Sequence, residues 1–115
     1  MDLSKCAVLL LFSLSASTSY AATFSKKSYP TGNMPAAVVS ADINRDGHPD
    51  LISADSDGDG FISVLLGASG GAFTISEVFG TAAVPVALAA GDFNHDGYPD
   101  VAALEGSGYQ VFFSS

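Results

Sequence analysis

Two nine-residue segments of this chain carry the residue types best suited to chemistry, and both read D-x-N-x-D-G-x-P-D. The first runs from Asp42 to Asp50 and the second from Asp92 to Asp100. Oxygen side chains at positions one, three, five and nine, with a glycine at position six that permits a tight turn, are what a hard cation such as calcium needs from a short segment of backbone. Because the pattern occurs twice in the same form, it predicts a pair of calcium-binding loops.

Each loop would supply three carboxylates, one amide side chain and the main-chain carbonyl at position seven. The expected metal ligands are Asp42, Asn44, Asp46, the carbonyl of His48 and Asp50 in the first loop, and Asp92, Asn94, Asp96, the carbonyl of Tyr98 and Asp100 in the second. Neighbouring carboxylates at about 4 Å repel by up to roughly 4 kcal/mol, so an empty loop should be loose. The alternative is that Asp, Asn and Gly are here only as common turn formers.

Helical EF-hand loops also begin D-x-N-x-D-G, but they need an acidic ligand at position twelve. That position holds Ser53 in the first copy and Ala103 in the second. The short apolar runs at 51–54 and 101–104 contain β-branched residues and leave no room for a helix. Both loops are therefore predicted to lie between strands.

The repeat extends well beyond the loops and predicts four strands in about fifty residues. Strand-like runs occur at 36–41, 51–54, 61–66 and 72–79 in the first copy and at 86–91, 101–104 and 109–113 in the second. Four short strands per repeat are typical of a propeller blade. The predicted fold is all-β, with about two four-stranded antiparallel blades that form an incomplete propeller.

Several segments of the chain resemble a known family of repeats. The segments 79–85 and 89–101 resemble the FG-GAP repeat of integrin α-subunit propellers, and 29–32 and 63–67 are still more similar to its bacterial relatives, the VCBS repeats. In that family the loop between the first two strands of a blade binds calcium, which implies the same role for both loops here. Val84 departs from the family motif, and so do Tyr29 and Pro30 in the first copy, but none of these is a ligand position.

The chain is expected to divide into three parts. Residues 1–21 have the pattern of a secretory signal peptide, with an apolar stretch too short to span a membrane and with small residues before a cleavage site after Ala21. Residues 22–84 form the first repeat and residues 85–115 a partial second repeat. The only cysteine, Cys6, lies in the signal peptide, and the processed protein is expected to be extracellular.

The segment 24–29 aligns with the fourth strand of the first repeat, so the strand order along the chain reads 4-1-2-3-4-1-2-3. Such an offset allows a strand from one end of a propeller to complete a blade at the other end. Two blades cannot close a ring, which leaves a homo-oligomer that closes a propeller as one expectation. The other is a truncated fragment that exposes apolar edges.

Composition and the remaining motifs exclude several classes of function. The formal net charge is −8, with four Lys and Arg residues in all. The chain therefore has too few basic residues to bind the phosphates of a nucleic acid. There is no nucleophile paired with a base and no P-loop, so we do not expect an enzyme. The acidic segment 55–60 fits a hairpin turn better than a third cation site, because Leu66 stands where an EF-hand needs Glu.

The sequence therefore favours a secreted, non-catalytic calcium-binding module that contacts an unidentified extracellular protein or carbohydrate, as in adhesion. The alternative is a truncated fragment or accessory piece of a larger secreted propeller protein or hydrolase. These interpretations differ in whether the chain acts alone, and the sequence does not decide between them.

Overall fold

The computed structural model describes residues 22–115, so the predicted signal peptide lies outside the described residues. Seven strands form two antiparallel sheets, with the order β1-β2-β3-β4 in the first and β5-β6-β7 in the second. The strands are β1 (Pro35–Ala41), β2 (Asp50–Asp55), β3 (Phe61–Gly67), β4 (Phe73–Gly80), β5 (Pro85–Gly91), β6 (Asp100–Glu105) and β7 (Gly108–Phe112). The prediction of an all-β fold made of incomplete propeller blades is confirmed. Within 22–115, no helix is long and apolar enough to cross a membrane.

The two sheets repeat one pairing register. Ala41 lies opposite Asp50 at the end of the β1–β2 pair, and Gly91 lies opposite Asp100 at the end of the β5–β6 pair. Both pairs also shift register directly after the proline that begins their first strand. A β-bulge changes the direction and twist of a strand, and both pairs have one at the same place. The two D-x-N-x-D-G loops are therefore attached to strand pairs of the same geometry.

The acidic segment that follows β2 is a hairpin turn, as the sequence indicated. It joins β2 to β3 with Asp55 opposite Phe61. Gly58 and Gly60 have φ angles of 61° and 91°, a region that glycine enters without the steric cost that other residues bear. The concentration of Asp and Gly in this segment is therefore explained by the turn.

The core lies between the two sheets. The apolar cluster there is made of the buried residues Ile52, Ile62, Val101 and Ala103. At the periphery the ring of Phe79 on β4 lies 5.8 Å from that of Phe112 on β7. Other apolar residues of the first strands are left uncovered, since Val38 on β1 is 62% exposed and Val86 on β5 is 56% exposed. The two sheets thus cover each other on one side only, as neighbouring blades of a propeller do.

The N-terminal segment 24–29 forms no strand in this structure, although its sequence aligns with β4. In the first sheet β4 itself holds the place beside β3, so the segment 24–29 cannot take there the position that its sequence equivalent occupies. The segment lies instead along the β3–β4 turn, where the Tyr29 hydroxyl donates to the carbonyl of Gly71 at 3.0 Å. The Tyr29 ring also packs edge-on against Phe73 at 5.4 Å.

Candidate metal centres

The first loop is held in shape by backbone N–H groups that donate to its own carboxylates. Asp42 accepts hydrogen bonds from the N–H of Asp46 at 3.0 Å and of Gly47 at 2.9 Å. Asp46 accepts one from the N–H of His48 at 2.9 Å. These bonds curl the chain around the first and fifth residues of the loop, and the donors offset part of the repulsion between its carboxylates.

The second loop repeats this network almost atom for atom. Asp92 accepts from the N–H of Asp96 at 3.1 Å and of Gly97 at 2.9 Å, and Asp96 accepts from the N–H of Tyr98 at 2.9 Å. The amide side chain of Asn94 lies within 3.3 Å of Asp96, as that of Asn44 does of Asp46 in the first loop. The shared motif therefore specifies one loop geometry in both repeats.

The backbone of each loop passes twice through the left-handed region. The glycines at position six, Gly47 and Gly97, have φ angles of 87° and 89°. The residues at position four, Arg45 and His95, have φ angles of 57° and 60°, where a side chain costs roughly 1–2 kcal/mol. The motif predicts the tight turn at the two glycines. The constraint at position four could not be recognised from the sequence, because the residue type there differs between the two copies.

The ninth residue of each loop is fully buried and ties the loop to the end of the third strand of its sheet or to the residues directly after that strand. Asp50 accepts hydrogen bonds from the N–H of Ile43 and of Gly67, both at 2.8 Å. The loop residue and the strand residue are thereby joined through one carboxylate. A structural role thus stands beside the ligand role that the sequence predicts for Asp50.

Asp100 has the same position in the second sheet. It accepts from the N–H of Phe93 at 2.9 Å and of Ser114 at 3.0 Å. Charge-assisted bonds of this kind are roughly twice as strong as neutral ones, so a single carboxylate fixes the closing geometry of the loop. Nothing in the motif identifies Gly67 as the partner of Asp50 or Ser114 as the partner of Asp100, because each partner lies more than ten residues away in the chain.

The second loop gathers its carboxylates closely enough for one cation. Asp92, Asp96 and Asp100 each offer an oxygen, and the three oxygens lie within 4.8 Å of one another. Two oxygens in the shell of one calcium ion, each 2.3–2.6 Å from it, can be up to about 5.2 Å apart. The described residues therefore fit a calcium ion at this loop. Among the described residues this is the one group of acids, His or Cys that converges in this way.

The exposed carboxylate of Asp46 is prepared for a cation by its surroundings. The N–H of His48, which donates to it, is the main cause that holds the pKa of Asp46 below its ordinary value, and the Asn44 side chain contributes in the same direction. Desolvation opposes the shift but does not outweigh it. The loop geometry thus favours the charged form of Asp46, which the sequence predicts as a metal ligand.

A buried acid at the opposite end of the first sheet was not recognised from the sequence. Asp55 is fully buried and accepts from the hydroxyls of Ser53 at 2.7 Å and Ser63 at 2.6 Å, and from the N–H of Gly32 at 3.2 Å. Its hydrogen bond with Gly32 holds the residues that lead into β1 against the first sheet. This role could not be recognised from the sequence, because Asp55 begins an Asp-rich turn and the turn alone accounts for an acidic residue.

Gly67 provides a test of how tightly the first loop is closed. A Cβ atom there would collide with the carbonyl oxygen of Pro49, so Gly67→Ala is expected to lower the free energy of unfolding by about 2–3 kcal/mol. At the equivalent position of the second sheet, Ser114 donates its hydroxyl to the carbonyl of Pro99 at 2.6 Å. Ser114→Ala should cost only about 1 kcal/mol. Denaturant unfolding in chelator measures both values, and an equal loss would contradict the close contact at Gly67.

Comparison with known proteins gives one match. The sequence profile of the FG-GAP-like repeat matches residues 42–103, which is more than half of the chain. The matched region begins at the first residue of the first loop and includes the whole of the second loop. No curated protein and no solved structure matches the chain.

Proposed function

We propose that this chain, which belongs to the FG-GAP-like repeat family, is a secreted calcium-binding module that contacts an extracellular protein or carbohydrate and has no catalytic activity of its own. Its propeller-type repeats are the premise of the proposal. The observation that supports calcium most directly is the convergence of oxygens from Asp92, Asp96 and Asp100 within 4.8 Å. The metal would supply positive charge that holds the loop carboxylates together.

The donor set favours calcium over softer metals. Within the two loops the side-chain donors are carboxylate and amide oxygens, which suit hard cations. The exposed His95 lies at a position whose side chain the motif does not use as a ligand, and the part of the chain that the structure describes contains no cysteine. Extracellular modules typically bind calcium with dissociation constants of about 0.1–1 mM, which agrees with loops as exposed as these.

A role in binding rather than catalysis is supported by what the repeats present. His48 and His95 lie in the two loops and are 47 residues apart in the chain, and neither is paired with a nucleophile among the hydrogen bonds of residues 22–115. The uncovered apolar residues Val38 and Val86 favour a second candidate, in which the chain is an accessory part of a larger secreted propeller protein or hydrolase.

The ligand assignment predicts different effects at two adjacent positions of the second loop. Asp96→Ala should weaken calcium binding at that loop by at least about tenfold, because it removes a charged direct ligand. His95→Asn should leave the affinity within about twofold, since Asn tolerates the left-handed φ that position four requires. Calorimetric titration of both variants makes the comparison. Equal losses of affinity would show that the loop geometry does not place Asp96 on the metal.

A further inference from the structure

Within residues 22–115 the second sheet lacks the fourth strand that the first sheet has beside β3. β4 covers β3 in the first sheet, whereas β7 has no strand beside it within residues 22–115. The neighbourhood of this edge is apolar and open, with Tyr109 74% exposed and Phe113 62% exposed. An uncovered edge of this kind presents unpaired N–H and C=O groups to other chains.

The same chain carries a segment with the features of the strand that is missing. Residues 29–35 read Y-P-T-G-N-M-P, and residues 79–85, which leave β4, read F-G-T-A-A-V-P. Ala82 donates its N–H to the Gln110 side chain of the sheet that the chain then enters. Gly32, at the equivalent place, donates its N–H to Asp55 of the first sheet. Residues 24–29 therefore stand before β1 as β4 stands before β5.

The connection after β4 also contacts the sheet that it leaves, and this contact has no counterpart at the N-terminus. Thr81 donates its N–H to the carbonyl of Gly60, in the β2–β3 hairpin. The second sheet has no such contact within residues 22–115, where β7 is followed by residues 113–115 only.

We propose that residues 24–29 of a second copy of this chain pair antiparallel with β7 and complete the second sheet. The register follows from the first sheet, in which Phe79 lies opposite Ile62 and Glu77 opposite Val64. Transferred to the second sheet, this register places Tyr29 of one copy opposite Tyr109 of the other. This inference names a partner for the module proposed above and rests on its repeat architecture.

Charge and exposure favour this occupant. The segment carries Lys26 and Lys27, two of the four basic residues in a chain of net charge −8, so it is the basic part of an acidic molecule. Phe24 is 98% exposed, and the segment makes no strand pairing that docking would have to break. The contacts that would be exchanged are exposed ones at the β3–β4 turn, namely those of Tyr29 with Gly71 and Phe73 and the hydrogen bond that the Lys27 ammonium donates to the carbonyl of Gly70 at 3.5 Å.

A head-to-tail contact of this kind is heterologous, because the lending and the receiving surfaces differ. Such contacts form closed rings when the rotation between copies permits and open chains when it does not. The proposed pairing therefore predicts association through two non-identical surfaces, as a closed ring or an open chain of copies.

Cysteine pairing between two different chains tests the register. One full-length chain carries Tyr29→Cys and a second, of different mass through a tag, carries Tyr109→Cys, each with Cys6→Ser. Mild oxidation of the mixture should give the mixed covalent product in high yield, because residues directly opposite in a sheet are close enough for a disulfide. The matched control pairs Ser28→Cys with Tyr109→Cys, whose side chains would lie on opposite faces, and should give several-fold less. Equal yields, or none from the first pair, would overturn the proposal.

Proline substitution tests whether association depends on the backbone of the segment. Successive N–H groups of a strand point in opposite directions, so either Lys26→Pro or Lys27→Pro removes one that faces β7. Light scattering in calcium should show a multimer for the unsubstituted chain and for Lys26→Ala and Lys27→Ala, and a monomer for one of the proline variants. A monomeric unsubstituted chain that still binds calcium by calorimetry would overturn the strand exchange alone. A multimer that binds no calcium would overturn the calcium proposal instead.

Discussion

Removal of calcium is expected to lower the thermal unfolding midpoint of this protein by more than about 10 °C. At a free concentration about ten times the dissociation constant, a ligand that binds only the folded state stabilises it by roughly 1.4 kcal/mol per site. Two such loops would together contribute about 3 kcal/mol, and a domain of this size loses roughly 4–8 °C per kcal/mol. Melting curves in chelator and in millimolar calcium measure the difference.

The double variant Asp46→Asn with Asp96→Asn is the matched control for this experiment. Each substitution replaces a charged ligand by a neutral one of nearly the same shape, and an Asn oxygen can still accept the N–H of His48 or Tyr98. The variant should melt near the midpoint of the unsubstituted protein in chelator and should gain little from calcium. A midpoint of the unsubstituted protein that does not respond to calcium would contradict the metal assignment in both loops.

The strands could be predicted from the sequence because the repeat supplies each signal twice. Pro35 and Pro85 do begin β1 and β5, and the turn glycines mark the hairpins. For the segment 24–29 the repeat pattern was not sufficient to predict the secondary structure. Its pattern predicts a strand, but a strand also needs a partner strand to pair with, and β4 already holds the equivalent place beside β3 in the first sheet.

The candidate metal loops could be predicted only in part for a similar reason. The D-x-N-x-D-G spacing specifies a local curl, and the network around Asp42 and Asp92 follows it closely. Contacts that cross the sheet have no such signature in the sequence. The N–H of Gly67 reaches Asp50 from 17 residues away, so the second role of the ninth residue became visible only when the strands were placed.

That second role distinguishes the ninth residue from the other acids of the loop. Asp50 is fully buried, and each of its oxygens receives a backbone N–H. Asp46 is exposed and receives its N–H from His48 within the loop. If both are metal ligands, calcium affinity alone will not separate them. Stability in the absence of calcium should do so, because only Asp50 joins the loop to β3.

Asp50→Asn is therefore expected to lower the free energy of unfolding by about 2–4 kcal/mol even in chelator. An amide presents one acceptor oxygen and one NH₂ group, so one of the two buried N–H donors would face another donor, and buried unsatisfied groups cost about 1–3 kcal/mol each in addition to the lost charge-assisted bond. Asp46→Asn should cost less than about 1 kcal/mol under the same conditions while still weakening calcium binding. Denaturant unfolding in chelator, followed by calcium titration of both variants, makes the comparison. If the two variants unfold at the same denaturant concentration, the bonds of Asp50 to Ile43 and Gly67 do not contribute the stability that their geometry indicates.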